Sequence, residues 1–245
     1  MYREHAPHAA LAPYVDRLWT SSGPAGPRLI LPDGCIDILV ELARPDAPFV
    51  VGTMTTASLF DASAGVDIVA VRFKPGGASG FLRLPAGELT DRHHDQVPWL
   101  RIDPRDPVRS LEGALLARLP EPPHALVAHA VAQLAGPAAP TIDALARDTG
   151  LTRQYLGKLF HAHVGISPKQ LGRVARMQRA IDLLQRPQPG RSVAPLPGCG
   201  DLAGVALRVG YFDQAHMARD FRELAGITPR EARAVSIRPI RTLYA

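Results

Sequence analysis

Cysteine is almost absent from this chain of 245 residues: Cys35 and Cys199 are the only two. Two are too few for a disulfide framework or a cysteine-built zinc site, so two reduced thiols are expected. No apolar stretch approaches the ~18 residues that a membrane helix needs. The first residues, MYREHAPHAALAPYV, lack the basic start and apolar run of a secretory signal. A soluble, cytoplasmic protein with no membrane partner is the expectation. His93 and His94 stand beside Asp91 and Asp95, yet no histidine pair at helical i,i+4 spacing and no cysteine cluster joins them. No metal and no cofactor are expected.

With 46% hydrophobic and 21% charged residues the chain is globular, and its length suffices for two modest domains. The net charge of +5 is unevenly shared. From Pro140 to the end there are 16 Lys+Arg against 8 Asp+Glu, while the first 139 residues hold 12 against 15. A basic C-terminal part beside a mildly acidic N-terminal part points to a polyanionic partner for the former.

Residues 1–106 read as β-rich. RLILPDGCIDILVEL carries two apolar runs, 28–31 and 35–40, around Pro32-Asp33-Gly34, and predicts a hairpin. VDIVAVRF, 66–73, predicts a strand stopped by Pro75-Gly76-Gly77; 49–53 and 57–60 are weaker strands; 77–84 suits a short helix; DRHHDQVPWLRIDPRDP reads as loop. Over 107–139 the period changes, and PVRSLEGALLARL and HALVAHAVAQLA predict two helices of a connector ending at GPAAP. The rest, 140–235, is helical except for RPQPGRSVAPLPGCG, 186–200, a mobile Pro/Gly-rich linker, and a tail over 236–245.

That C-terminal part contains a repeat. TIDALARDTGLTRQYLGKLFHAHVGISP and GDLAGVALRVGYFDQAHMARDFRELAGITP share an alanine four residues before a glycine, Ala146 to Gly150 and Ala206 to Gly210. Both also place a phenylalanine five residues before a second glycine, Phe160 to Gly165 and Phe221 to Gly226. Turn glycine to phenylalanine is ten residues in the first copy and eleven in the second. The glycines suit left-handed helix stops, and Thr152 and Asp213 suit N-caps of a second helix. Leu156 with Phe160, and Met217 with Phe221, would pin that helix to the first. Ser167-Pro168 and Thr228-Pro229 start the helix that follows. Each copy is thus a helix-turn-helix, at about 141–164 and 201–225, and the two are joined by a long helix.

Here the sequence resembles the DNA-binding domain of the AraC/XylS family of bacterial transcriptional regulators. The resemblance rests on Ala146, Gly150, Leu156, Phe160, Gly165, Ser167-Pro168, Arg176, Ala180 and Leu184. In the second copy it rests on Ala206, Gly210-Tyr211, Asp213-Gln214, Arg219, Phe221, Gly226 and Thr228-Pro229. It implies an α+β chain in which a β-rich, cupin-like N-terminal domain for effector binding or dimerisation precedes an all-α domain of two helix-turn-helix motifs. It implies double-stranded promoter DNA as partner, and leaves room for RNA polymerase, a small-molecule effector and a homodimer. Groove-facing residues carried over are Arg153, Gln154, Gly157 and Lys158, then Gln214, Ala215, Ala218 and Arg219. Arg and Lys can pair with guanine and Gln with adenine, whereas Gly157 and Ala218 offer only backbone or methyl contact. Phosphate contact is the other role open to Arg153 and Lys158. Asp213 reads as a cap, Gln214 can also support the turn, and His161, His163 and His216 read as surface or packing residues. Arg173, Arg176 and Arg179 make the connecting helix basic, the last two suited to internal pairs or phosphates.

In the N-terminal half, LPDGCIDILVEL and VRFKPGGASGFL resemble a short β-rich sensor domain. Asp33, Cys35, Asp37, Arg72, Lys74, His93 and His94 are the polar groups that could converge there, and Trp19 and Trp99 read as core anchors. The alternative function is a metal-dependent cupin-type enzyme with an accessory helical domain. A DNA-repair methyl acceptor sharing this DNA-binding domain would need a cysteine-rich zinc module that two cysteines cannot build.

Overall fold

Short alternating runs of β-branched and aromatic residues build the first half. The computed structural model describes residues 1–23, 26–62, 66–95, 97–185 and 202–234. The stretch 186–200, expected as a linker, lies outside the described residues, as do Cys199 within it and the tail. The strands are β1 (Tyr2–His5), β2 (Val15–Ser21), β3 (Gly26–Ile30), β4 (Ile36–Glu41), β5 (Phe49–Val51), β6 (Ser58–Ala62), β7 (Ile68–Phe73) and β8 (His93–His94). Six of them form an antiparallel sheet in the order β1-β2-β7-β4-β5-β8, and β3 with β6 forms a separate antiparallel ribbon.

The register sorts side chains by face. Leu18, Val71 and Ile38 stand opposite one another across β2, β7 and β4, and belong to a core with Val69, Phe73, Phe81, Leu111 and Leu115. Helices α1 (Ser79–Leu82) and α2 (Pro107–Leu116) close this core. One residue along, Arg17, Arg72 and Asp37 stand side by side on the opposite face, as the period of two requires.

Two expectations are corrected, and two strands were not anticipated. The hairpin around Pro32-Asp33-Gly34 does not form: β3 pairs with β6, and β4 pairs with β7 and β5. Leu31 and Leu29 pack instead with the helices beyond residue 174, so β3 is drawn away from β4. Asp33 accepts from Cys35 N at 2.9 Å and Gly34 is left-handed (φ 77°), which turns the chain without pairing its arms. The loop read through His93-His94 contains β8, which pairs with β5. β1 and β2, unread in the sequence, form one side of the sheet.

Helix α3 (Ala125–Ala135) follows, then α4 (Ile142–Asp148), α5 (Arg153–His163), α6 (Pro168–Gln185), α7 (Leu202–Arg208), α8 (Gln214–Ala225) and α9 (Pro229–Ala234). The two helices over 107–139 part company. Leu111 and Leu115 of α2 join the sheet core, whereas Val127, Ala130 and Leu134 of α3 pack with Leu145, Leu156 and Phe160. α6 is shared between two cores. Its Leu171 belongs with α3, α4 and α5, while Val174, Met177, Ala180, Ile181 and Leu184 belong with Ala206, Met217, Phe221 and Leu224. At ~1.5 Å per residue this helix is a rod of about 27 Å carrying one helix pair near each end.

Candidate nucleic-acid interface

Each helix pair is closed by the same local chemistry. Thr141 caps α4, accepting from Ala144 N at 3.2 Å, and the chain leaves α4 through left-handed Gly150 (φ 67°). Thr152 then caps α5, accepting from Tyr155 N at 3.2 Å. In the second pair Gly210 (φ 87°) ends α7, and Asp213 caps α8 by accepting from His216 N at 2.6 Å. Ser167 and Thr228 cap the helices that follow, the latter exchanging bonds with Glu231 in a capping box. Leu156 and Phe160, and Met217 and Phe221, are fully buried. Truncating either phenylalanine to alanine would cost about 3–5 kcal/mol.

With the apolar faces fastened, the polar faces are left bare. Arg153, Gln154 and Lys158 are exposed on α5, and Gly157 is half-buried between them. On α8, Gln214, Ala215 and Arg219 are exposed and Ala218 is half-buried. Arg153 and Gln154, and Gln214 and Ala215, stand in the first turn of their helices, where N–H groups are free and the dipole is positive. Arg153 reaches Asp143 at 3.1 Å, but both side chains are exposed, and such a pair holds the guanidinium only weakly. Two exposed aromatics flank these faces and went unread in the sequence: Tyr155 on α5, and Phe212, 85% exposed, in the second turn. The unequal spacing was their signal, since Phe212 falls in the turn that is one residue longer.

The basic residues of α6 point elsewhere. Arg173 pairs with Asp220 at 2.8 Å and with Glu223, locking α8 to α6. Arg176 lies 5.2 Å over the ring of buried Tyr211, whose phenol burial pushes well above its usual range. Arg179, buried, donates to the carbonyls of Ala135 and Gly136 at 2.6 and 2.5 Å. His161 touches Gly87, and His163 packs at a tilt against His124, ring centres 5.3 Å apart. His216 accepts from Phe212 N at 3.4 Å and packs edge-on against Tyr211.

The polar groups named in the first half separate into two sets. Arg72 binds Asp33 at 2.9 Å and Asp37 at 3.1 Å, and Trp19 donates its indole N–H to Asp37 at 3.0 Å. Burial pushes the Asp37 carboxyl up, against the pull of Arg72. Cys35 is buried beside them, and desolvation holds its thiol well above its ordinary value, so it is a poor nucleophile. Lys74 instead donates to Ala12 O at 2.7 Å, and His93 and His94 sit on the edge strand β8. Trp99 is half-buried under the Arg118 guanidinium. Among the described residues no three His, Cys, Asp or Glu side chains come together where they could hold a metal ion. Among them, too, no helix is long and apolar enough to cross a membrane.

Residues 145–234 match the family described as a helix-turn-helix domain, and residues 3–95 match a domain of unknown function, DUF6597. A transcriptional regulator with an AraC-type DNA-binding domain from Chromobacterium violaceum is 26% identical, over 46% of this chain and 90% of that one, with a TM-score of 0.35. The C-terminal domain of AraT, a response regulator from Geobacillus stearothermophilus, is 21% identical over 50% of this chain and 94% of its own, with a TM-score of 0.37. ToxT from Vibrio cholerae is 9% identical over 89% of this chain and 97% of its own, with a TM-score of 0.44. No curated protein matches the chain. The matched domain and the bare, capped helix pairs define the class, a protein with a helix-turn-helix domain. More narrowly, the chain carries a helix-turn-helix domain over residues 145–234 behind a DUF6597 domain over residues 3–95.

Proposed function

We propose that this protein is a sequence-specific regulator whose α5 and α8 read adjacent major-groove segments of one promoter site, under control of its β-rich half. The observation that carries the reading is the doubled arrangement itself. Two second helices, each buried on one side and bare on the other, are mounted on the two ends of α6. The DNA-binding unit, expected over 140–235, takes α3 as well, because α3 shares the core of the first helix pair. The β-rich half, expected over 1–106, extends to α2 on the same argument.

In this reading Arg219 and Gln214 address base edges from α8, and Arg153, Gln154 and Lys158 address bases or phosphates from α5. Ala215 and Ala218 supply methyl contacts and let the backbone approach. Phe212 lies at the mouth of the groove beside Gln214, where an apolar ring suits a thymine methyl or a deoxyribose. The activity involves no covalent chemistry. A small-molecule effector, a second copy of the chain and RNA polymerase are the partners through which the β-rich half would act.

Selection of bound fragments from random duplex DNA tests the proposal. A selected site should show two conserved segments, and the logarithm of its affinity should fall linearly with the logarithm of salt. Arg219→Ala should cost about 1–3 kcal/mol on the selected site and relax preference at one position. Lys158→Ala should weaken all duplexes alike and reduce the salt slope by roughly 0.9 if it neutralises one phosphate. Equal losses on selected and random duplexes for Arg219→Ala would remove that residue from the reading face.

A further inference from the structure

An α-helix ends with carbonyls that its own backbone cannot pair. In both α5 and α8 these ends are met by one stretch of the β-rich half, residues 53–57. Thr53, fully buried, donates its hydroxyl to Val164 O at 2.7 Å, the carbonyl that closes α5. Ala57 donates its N–H to Leu224 O at 2.7 Å, in the last turn of α8. Aligned on Phe160 and Phe221, these two carbonyls differ by a single position in the repeat. Five residues of chain span at most roughly 18 Å, so the trailing ends of the two helices are tied to each other through this short strap.

The strap is itself held. Thr55 donates its N–H and its hydroxyl to the Asp91 carboxylate at 2.7 and 2.6 Å, and Asp91 N donates back to Thr53 O at 3.0 Å. Asp91 adopts a left-handed backbone (φ 55°) to do so. Gly52, just before the strap, lies so near Leu89 that a Cβ there would sit 1.7 Å from the Leu89 carbonyl oxygen. Beside it, Thr90 donates its hydroxyl to Gly165 O at 2.7 Å. Gly165 (φ 94°) is packed so closely that a Cβ would lie 3.0 Å from both Ala86 O and the Thr90 hydroxyl. A stretch fixed at both ends and in the middle transmits position as a rigid piece.

We infer that Thr53–Ala57 acts as a gauge that sets the separation and relative rotation of α5 and α8, and so selects the number of base pairs between the two segments of the binding site. Thr53, Thr90 and Asp91 are positioning residues in this scheme; none faces DNA. The inference rests on the proposal that both helices engage one duplex. Each added base pair moves one segment by about 3.4 Å along the axis and turns it by about a tenth of a helical repeat. A pair held both through α6 and by the strap cannot follow that change, whereas a pair held through α6 alone has more freedom to adjust.

The experiment uses the full chain, the duplex selected from random DNA, and versions of it lengthened or shortened by one base pair between the two segments. For the unaltered protein, a one-base-pair change should weaken binding by about tenfold or more, which corresponds to roughly 1.4 kcal/mol. The double variant Thr53→Val, Thr90→Val keeps the shapes and removes the two hydroxyl donors. At the preferred spacing its affinity should stay within about threefold of the parent, and the penalty for altered spacing should shrink to a similar factor. Asp91→Ala frees the centre of the strap without touching either helix and should act in the same direction, which guards against a fold defect in the first variant. If both variants keep the parent's spacing profile, the gauge is overturned while two-helix recognition stands. If the parent selects no site at all, both proposals fall together.

Discussion

Arg72 brings one positive charge to a buried place already occupied by two carboxylates, Asp33 and Asp37. On its other side the register sets it opposite Arg17, which is itself balanced by Asp16 and Glu4. Removing the centre of this row takes the guanidinium from buried Asp37 and half-buried Asp33. Arg72→Ala should destabilise the β-rich half by about 3–5 kcal/mol, read by denaturant unfolding, whereas a well-packed apolar replacement of the whole set could be nearly neutral. A loss below about 1 kcal/mol would show that the carboxylates find other partners. Part of this was legible, since alternation along a strand already placed Asp37 on a face with its neighbours two residues away. Which strand would lie alongside was not legible, because Asp37 and Arg72 are 35 residues apart. Asp33 read as a turn residue and is one, through its bond to Cys35 N, but its ion pair with Arg72 left no local mark.

At the scale of elements, the helix pairs were readable and the strand partners were not, for one physical reason. A cap, a left-handed glycine and an i,i+4 apolar pair are all satisfied within a dozen residues, so they are written in order along the chain. Strand pairing is settled by distant contacts, which is why β3 left β4 for β6 and why β1 and β2 went unread. The glycines show how local and distant demands differ. Gly157 lies within α5 with nothing within 4 Å of where a Cβ would stand. Gly157→Ala should therefore stabilise the protein by roughly 0.5–1 kcal/mol. Gly165 has the opposite character, with a left-handed backbone and three oxygens at 3.0–3.2 Å from the same point. Gly165→Ala should cost about 1–3 kcal/mol and loosen the first helix pair from the β-rich half. Thermal unfolding of the two variants side by side decides it: shifts of the same sign would contradict the contrast.

For the molecule as a whole, the uneven charge points to the C-terminal half as the one suited to a polyanion, yet nothing in it told how the halves would meet. They meet through buried, specific contacts: Gln178 of α6 donates to Pro32 O at 2.7 Å, across 146 residues of sequence, and Leu31 enters the core of the second helix pair. The far side of the junction carries a titratable device of its own. His163, at the end of α5, packs at a tilt against His124, ring centres 5.3 Å apart, and lies 3.4 Å from the Ser79 hydroxyl of α1. Burial, with the charge of His124 added, holds the His163 imidazole below its ordinary value of 6.5. A base depressed in this way takes its proton more readily in the unfolded chain, so the folded state keeps its full stability above pH 6.5. That stability is then lost as pH falls from 6.5 through the depressed value. The melting temperature should accordingly fall with acidification below pH 6.5, and His163→Gln should flatten the fall. The junction joins the β-rich half to α5, so the same acidification should free α5 from the β-rich half before either half unfolds. Amide exchange of α5 and of the sheet, followed from neutral to mildly acidic pH, would register that order, and simultaneous loss of protection in both would rule it out.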